Sequence, residues 1–178
     1  MHLKDHLNYI SGPGASAVLL PYDDGRLAFL GILPDKGMQL DEYIKTFDEK
    51  TIPDLISRRT TTEISLTMPK FKTSGEFELK DSLENMGMGI AFDKNKADFS
   101  KMGNINGKLF ISSVKHKTFL QVDESGTEAG AVTVVAVKAT GIRTNILTVV
   151  FNRPFIYVII DTQTNLPLFL GTMEDPQS

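Results

Sequence analysis

Ser125 and Glu128 are the residues whose types most readily suggest chemistry, a hydroxyl nucleophile and an acid or base three positions apart. A serine attacks only when a positioned base takes its proton, and neither residue has a histidine near it in sequence. The chain contains no cysteine, which excludes thiol catalysis, disulfides and thiolate metal sites. His2 and His6 stand at the i, i+4 spacing that puts two ligands on one helix face. They sit at the N-terminus, where frayed chain is expected, and with His116 they are too few and too scattered to make a metal site. We therefore expect no catalytic residue, no metal and no cofactor, and read Ser125 and Glu128 as solvated hinge residues.

The stretch around them, Val122-Asp123-Glu124-Ser125-Gly126-Thr127-Glu128-Ala129-Gly130-Ala131-Val132-Thr133-Val134-Val135-Ala136, is light and rich in β-branched residues. Small side chains fit a crowded sheet, and β-branched ones favour extended backbone. Gly126 supplies the freedom of a hinge, and without proline every amide up to Ala136 is able to donate to a ladder. Composition alone allows two readings: a loop able to become a strand, or a strand already in a sheet.

The elements that flank this tract are mostly strands. Ala17 to Leu20 and Leu27 to Leu33 are apolar almost throughout, as strands buried on both faces are, and Asp24-Gly25 between them signals a hairpin. Leu40, Tyr43, Ile44 and Phe47 recur at helical spacing behind Asp41 and Glu42, and a second short helix is expected from Thr51 with Pro53 in its first turn. Thr60 to Thr67 alternates as a strand, continuing as extended chain bent at Pro69. Leu79 to Met86 reads as one helix ended by Gly87 and Gly89. Leu109 to Val122 reads as one long strand of a large sheet, and Phe155 to Ile160 with Leu166 to Leu170 as a closing hairpin. The fold class is α+β with strands dominant, and no proline- or glycine-rich linker marks a second domain.

The 178 residues, 41% hydrophobic and 23% charged, suffice for one domain with a sizeable core. The formal charge is -3 and the 19 Lys and Arg are scattered, which argues against nucleic acid as a partner. No apolar run approaches the roughly 20 residues of a membrane-spanning helix, and the N-terminus lacks the apolar stretch of a secretion signal.

Five fragments, in order, resemble the serpin family. Leu19-Leu20-Pro21-Tyr22 with Leu33-Pro34-Asp35 resembles the family's buried hairpin of sheet B, and Met68-Pro69-Lys70-Phe71 its junction of sheets C and A. Ser113-Val114-Lys115-His116-Lys117 and the Val122 to Ala129 stretch are similar to the strand and hinge that lead into the reactive loop. Phe151-Asn152-Arg153-Pro154-Phe155, with Pro167-Leu168-Phe169-Leu170-Gly171 and Asp175-Pro176, is similar to the C-terminal signature. The resemblance implies that residues 1–178 are a single partial serpin domain, the C-terminal half, holding parts of sheets A, B and C, the reactive loop and a few short helices. The N-terminal helices and acceptor strands would be absent, as in a truncated fragment.

The resemblance further implies a serine protease inhibitor, not an enzyme. Its hinge would be Glu124, Gly126, Thr127, Glu128, Ala129, Gly130 and Ala131, with Thr127 the first side chain to enter the sheet. Counting forward by the family's usual spacing places the scissile bond at Thr140-Gly141, which suits an elastase-like protease; Lys138 or Arg143 would specify a trypsin-like one. His116 would be the histidine that helps hold sheet A shut; taken as a bare residue it reads as a satisfied core histidine. The parent is expected to be secreted, while the fragment alone is expected to lack inhibitory activity and to self-associate through unpaired strand edges. The alternative is a non-inhibitory binding or chaperone protein on the same fold.

Overall fold

The computed structural model describes residues 1–103, 109–123 and 146–176, and divides them into two compact units. The first takes Met1–Phe71 and Val122–Ser178, the second Lys72–Gln121.

In the first unit the apolar runs do become strands. β2 (Ala15–Pro21) and β3 (Leu27–Pro34) form the expected hairpin, and Gly25 at its turn has φ 64°, a value that a residue without Cβ takes at least cost. β3 pairs with β8 (Phe155–Asp161), which pairs with β9 (Pro167–Met173), all antiparallel. On the other side β2 pairs with β1 (His2–Gly12), β1 with β4 (Thr60–Thr67), and β4 in parallel with β7 (Leu147–Val150). The result is one seven-stranded sheet in the order β7-β4-β1-β2-β3-β8-β9.

The central strands are apolar at consecutive positions because both of their faces are covered. Ala17, Ile32 and Ile156 are register partners on one face, and with Leu30 and Val158 they pack against Leu40 and Tyr43 of α1 (Leu40–Ile44) and Ile52, Leu55 and Ile56 of α2 (Thr51–Ser57). On the opposite face Phe155 meets Phe151 edge-on at 5.0 Å between centroids and Phe71 at 5.8 Å. Gly31 lies under this cluster, where an added Cβ would come within 2.9 Å of the Phe151 ring. Burying a large side chain of this kind contributes roughly 1.5–3 kcal/mol, so this aromatic layer is a main source of the unit's stability.

Several expectations need correction. The N-terminus is not frayed: residues 2–12 are β1, whose polar side chains hid it because its backbone is held by β4 along His2–Tyr9 and by β2 along Asn8–Gly12. His2 and His6 therefore stand on a strand, where four residues span roughly 13 Å, too far to share a metal. Pro69 does not merely bend one strand: β4 ends at Thr67, and β5 (Phe71–Glu78) belongs to another sheet.

In the second unit β5 pairs with β6 (Lys115–Val122) in a two-stranded sheet, not a large one, and β6 begins at Lys115 rather than Leu109. Residues 109–114 take no part in a ladder, although the Leu79 amide donates to the Val114 carbonyl and the Ile111 amide to the Ala91 carbonyl. The expected single helix is three short pieces: α3 (Lys80–Leu83), a π-helical turn (Glu84–Met88) and α4 (Gly89–Phe92). Gly87, at φ 97°, makes the break, and the chain resumes a helical turn at Gly89 instead of ending there. Phe92 and Ala97 are the buried apolar side chains that follow it.

Candidate functional site

The expected site is a loop, so its position is set by the strands on either side. β6 carries the chain to Val122 and Asp123, and β7 takes it up again at Leu147. Glu124, Gly126, Thr127, Glu128, Ala129, Gly130 and Ala131 of the hinge, and Lys138, Thr140, Gly141 and Arg143 of the expected bond, all lie outside the described residues.

The strand leading into the hinge is tied to β5 from its start. The Val114 amide donates to the Glu78 carboxylate at 2.8 Å, and Lys117 Nζ is 3.1 Å from Glu76 Oε2. Gly75 lets Thr118 approach: a Cβ there would stand 3.0 Å from the Thr118 hydroxyl and 2.6 Å from the Phe77 ring. The Glu76 and Lys117 side chains are both largely exposed, so this pair orders the surface more than it stabilises the fold. Val122, the last strand residue before the hinge, is buried.

His116 lies on β6 and is exposed in this chain, against the core-histidine reading, and its ring makes no hydrogen bond to another described residue. No group of three or more acidic, cysteine or histidine side chains able to hold a metal occurs among the described residues. Among the described residues no helix is long and apolar enough to cross a membrane.

Beyond residue 145, β7 runs parallel to β4, pairing Leu66 with Val149 and Thr67 with Val150. The Phe151 amide continues the tie by donating to the Thr67 carbonyl at 2.9 Å. β7 is thus anchored in the large sheet, and its successor Phe151 in the aromatic layer.

The family match decides what this arrangement is. Residues 1–176 match the family described as Serpin (serine protease inhibitor). The chain belongs to the serpin family. It is 36% identical over 156 residues to intracellular coagulation inhibitor 2 of Tachypleus tridentatus, and 35% identical over 182 residues to Serpin B10 of Bos taurus. These alignments cover 88% and 99% of this chain but 38% and 45% of the relatives, so the chain spans less than half their length. Among solved structures, the thermophilic serpin Tengpin in its native state superposes with a TM-score of 0.79 at 45% identity, covering 97% of this chain and 45% of that one. The strand-dominated α+β architecture is accordingly that of part of the serpin fold. The family is one of inhibitors, not enzymes. One relative is named an intracellular inhibitor, so the secreted location expected of the parent draws no support from it.

Two interactions that sequence reasoning missed hold the serpin signature in place. Arg153 donates through Nε and Nη2 to the Pro34 carbonyl, at 3.0 and 2.8 Å, joining the C-terminal motif to the end of β3. Arg26 pairs with Asp161 at 3.1 Å, tying the β2–β3 turn to the β8–β9 turn. Amides of Thr164, the Arg26 side chain and the Gln163 amide hold the Asp161 carboxyl below the usual carboxylate range, against the opposing effect of desolvation. Both motifs, Asn152-Arg153-Pro154 and Asp161-Thr162-Gln163-Thr164-Asn165, are visible in the sequence; their partners, more than a hundred residues away, are not.

Proposed function

We propose that the whole protein to which this chain belongs is a suicide-substrate inhibitor of serine proteases. The observation that carries this reading is the light, proline-free tract from Gly126 to Ala136, placed between β6 and β7 in a chain of the serpin family. A protease takes the loop as substrate, its serine is acylated by the residue before the cut bond as the new amino terminus leaves, and the freed loop enters the sheet as a new strand; loop insertion of this kind is an established serpin instance of strand addition. Each backbone group that exchanges water for a ladder partner contributes about 0.5–1.5 kcal/mol net, so a strand of several residues stabilises the product by many kcal/mol. That gain traps the enzyme before water releases it.

Thr127 leads the insertion, since a small hydroxyl is buried in a sheet at far lower cost than a charge, and proline would remove a ladder bond. Thr140-Gly141 is the favoured scissile bond and elastase-like enzymes the favoured targets, with Lys138 or Arg143 and a trypsin-like enzyme as the alternative. The deciding experiment mixes the full-length protein with elastase and with trypsin: a complex that survives detergent electrophoresis supports inhibition, and cleavage with no such complex rejects it.

A further inference from the structure

A cleft of about 370 Å³ opens on the large sheet beside β7, where Val150 and Asn152 flank Phe151 of the aromatic layer, and the inhibitory reading makes no use of it. Its volume lies within the range of small-molecule sites, roughly 300–1,000 Å³. Two cations line it, Lys36 and Arg153, and no carboxylate does. Both stand next to Pro34: Lys36 two residues after it, Arg153 bonded to its carbonyl.

The Arg153 guanidinium is held in place by that carbonyl but not used up by it. Two of its five N–H donors go to Pro34, and it makes no other hydrogen bond and no ion pair among the described residues. Lys36 is exposed and likewise has no ion pair among the described residues. A guanidinium fixed on one edge and open on the other is prepared for an oxyanion, because its fork matches two oxygens at once. Tyr9, Ser16 and Thr148, which carry hydroxyls, also line the cleft. The rest of the lining combines Asn152 with the apolar Leu33, Leu147, Val149 and Val150.

We propose that this cleft binds a small amphiphilic anion, a carboxylate or phosphate monoester head at Lys36 and Arg153 with a compact apolar body against Leu33, Leu147 and Val149. The geometry suits a ligand with one charged end, since the cations gather around Pro34 while β7 supplies the hydrocarbon.

The test titrates the 178-residue chain with octanoate, octyl phosphate and the neutral 1-octanol, followed by backbone amide shifts. Saturable shifts at Lys36, Thr148 and Asn152 with either anion, and none with octanol, are expected, and the anion that binds tighter identifies the head group. Lys36→Glu, at an exposed position, is expected to keep the spectrum of the folded chain and weaken binding at least tenfold. Absence of saturable shifts with both anions, equal shifts with octanol, or undiminished binding in a folded Lys36→Glu chain would each overturn the proposal.

Discussion

Arg26 Nε donates to Asp161 Oδ2 across 3.1 Å, closing a link between two turns that lie 135 residues apart in sequence. The same carboxylate accepts from the Gln163 and Thr164 amides and the Thr164 hydroxyl, while the Thr162 hydroxyl donates to the Gly25 and Arg26 carbonyls. One acidic side chain thus organises its own turn and fastens it to the first hairpin.

This clamp makes stability depend on pH. The Asp161 carboxyl titrates below its ordinary value in the folded chain, chiefly because the Thr164 amide and then Arg26 bind its ionised form. Its contribution is present above the unfolded aspartate pKa of about 3.9 and is lost as pH falls through the lowered folded value. Asp161→Asn should lower the urea midpoint at pH 7, and its difference from the parent chain should shrink below about pH 4. A gap that stays constant across that range would remove the charge-based explanation.

The contact between Gly31 and Phe151 predicts an overpacking defect. A methyl at position 31 would stand 2.9 Å from Phe151 Cζ and 3.1 Å from Phe29 Cε1, inside a layer with no room to yield. Gly31→Ala should cost about 1–3 kcal/mol, and Phe155→Ala, which leaves a cavity, about 3–5 kcal/mol. Equilibrium unfolding with circular dichroism measures both; an unchanged Gly31→Ala midpoint would show that the aromatic layer relaxes.

In the full-length protein, Thr127→Arg should convert an inhibitor into a plain substrate, because the first inserting side chain would carry a charge into the sheet. Electrophoresis should show the loop cut with less than a tenth of the detergent-stable complex. Full complex formation by the variant would mean that insertion does not begin at Thr127.

Mass spectrometry of the loop after exposure to elastase should find the cut after Thr140. Cleavage after Lys138 or Arg143, coupled to a stable complex with trypsin alone, would reassign the target to an enzyme with an acidic pocket.

Local pattern determined a good part of this protein. The β2–β3 hairpin and β8 are legible because consecutive apolar residues and Asp24-Gly25 act over a few positions, β4 because its residues alternate, and the order of the serpin fragments survives in short stretches. The helix broken at Gly87 shows the limit: the 3.6-residue spacing of Leu79 and Leu83 is real, but Met86, the third member of the stripe, is 80% exposed. What only the tertiary structure decided is partnership. Polar residues 2–9 become a strand because β4 lies beside them, β6 starts at Lys115 because its partner β5 ends at Glu78, and Arg153 and Asp161 gain their roles from Pro34 and Arg26. Backbone pairing and long-range hydrogen bonds join segments whose separation along the chain carries no local signal, so side-chain spacing specifies an element while its neighbours in space specify its place.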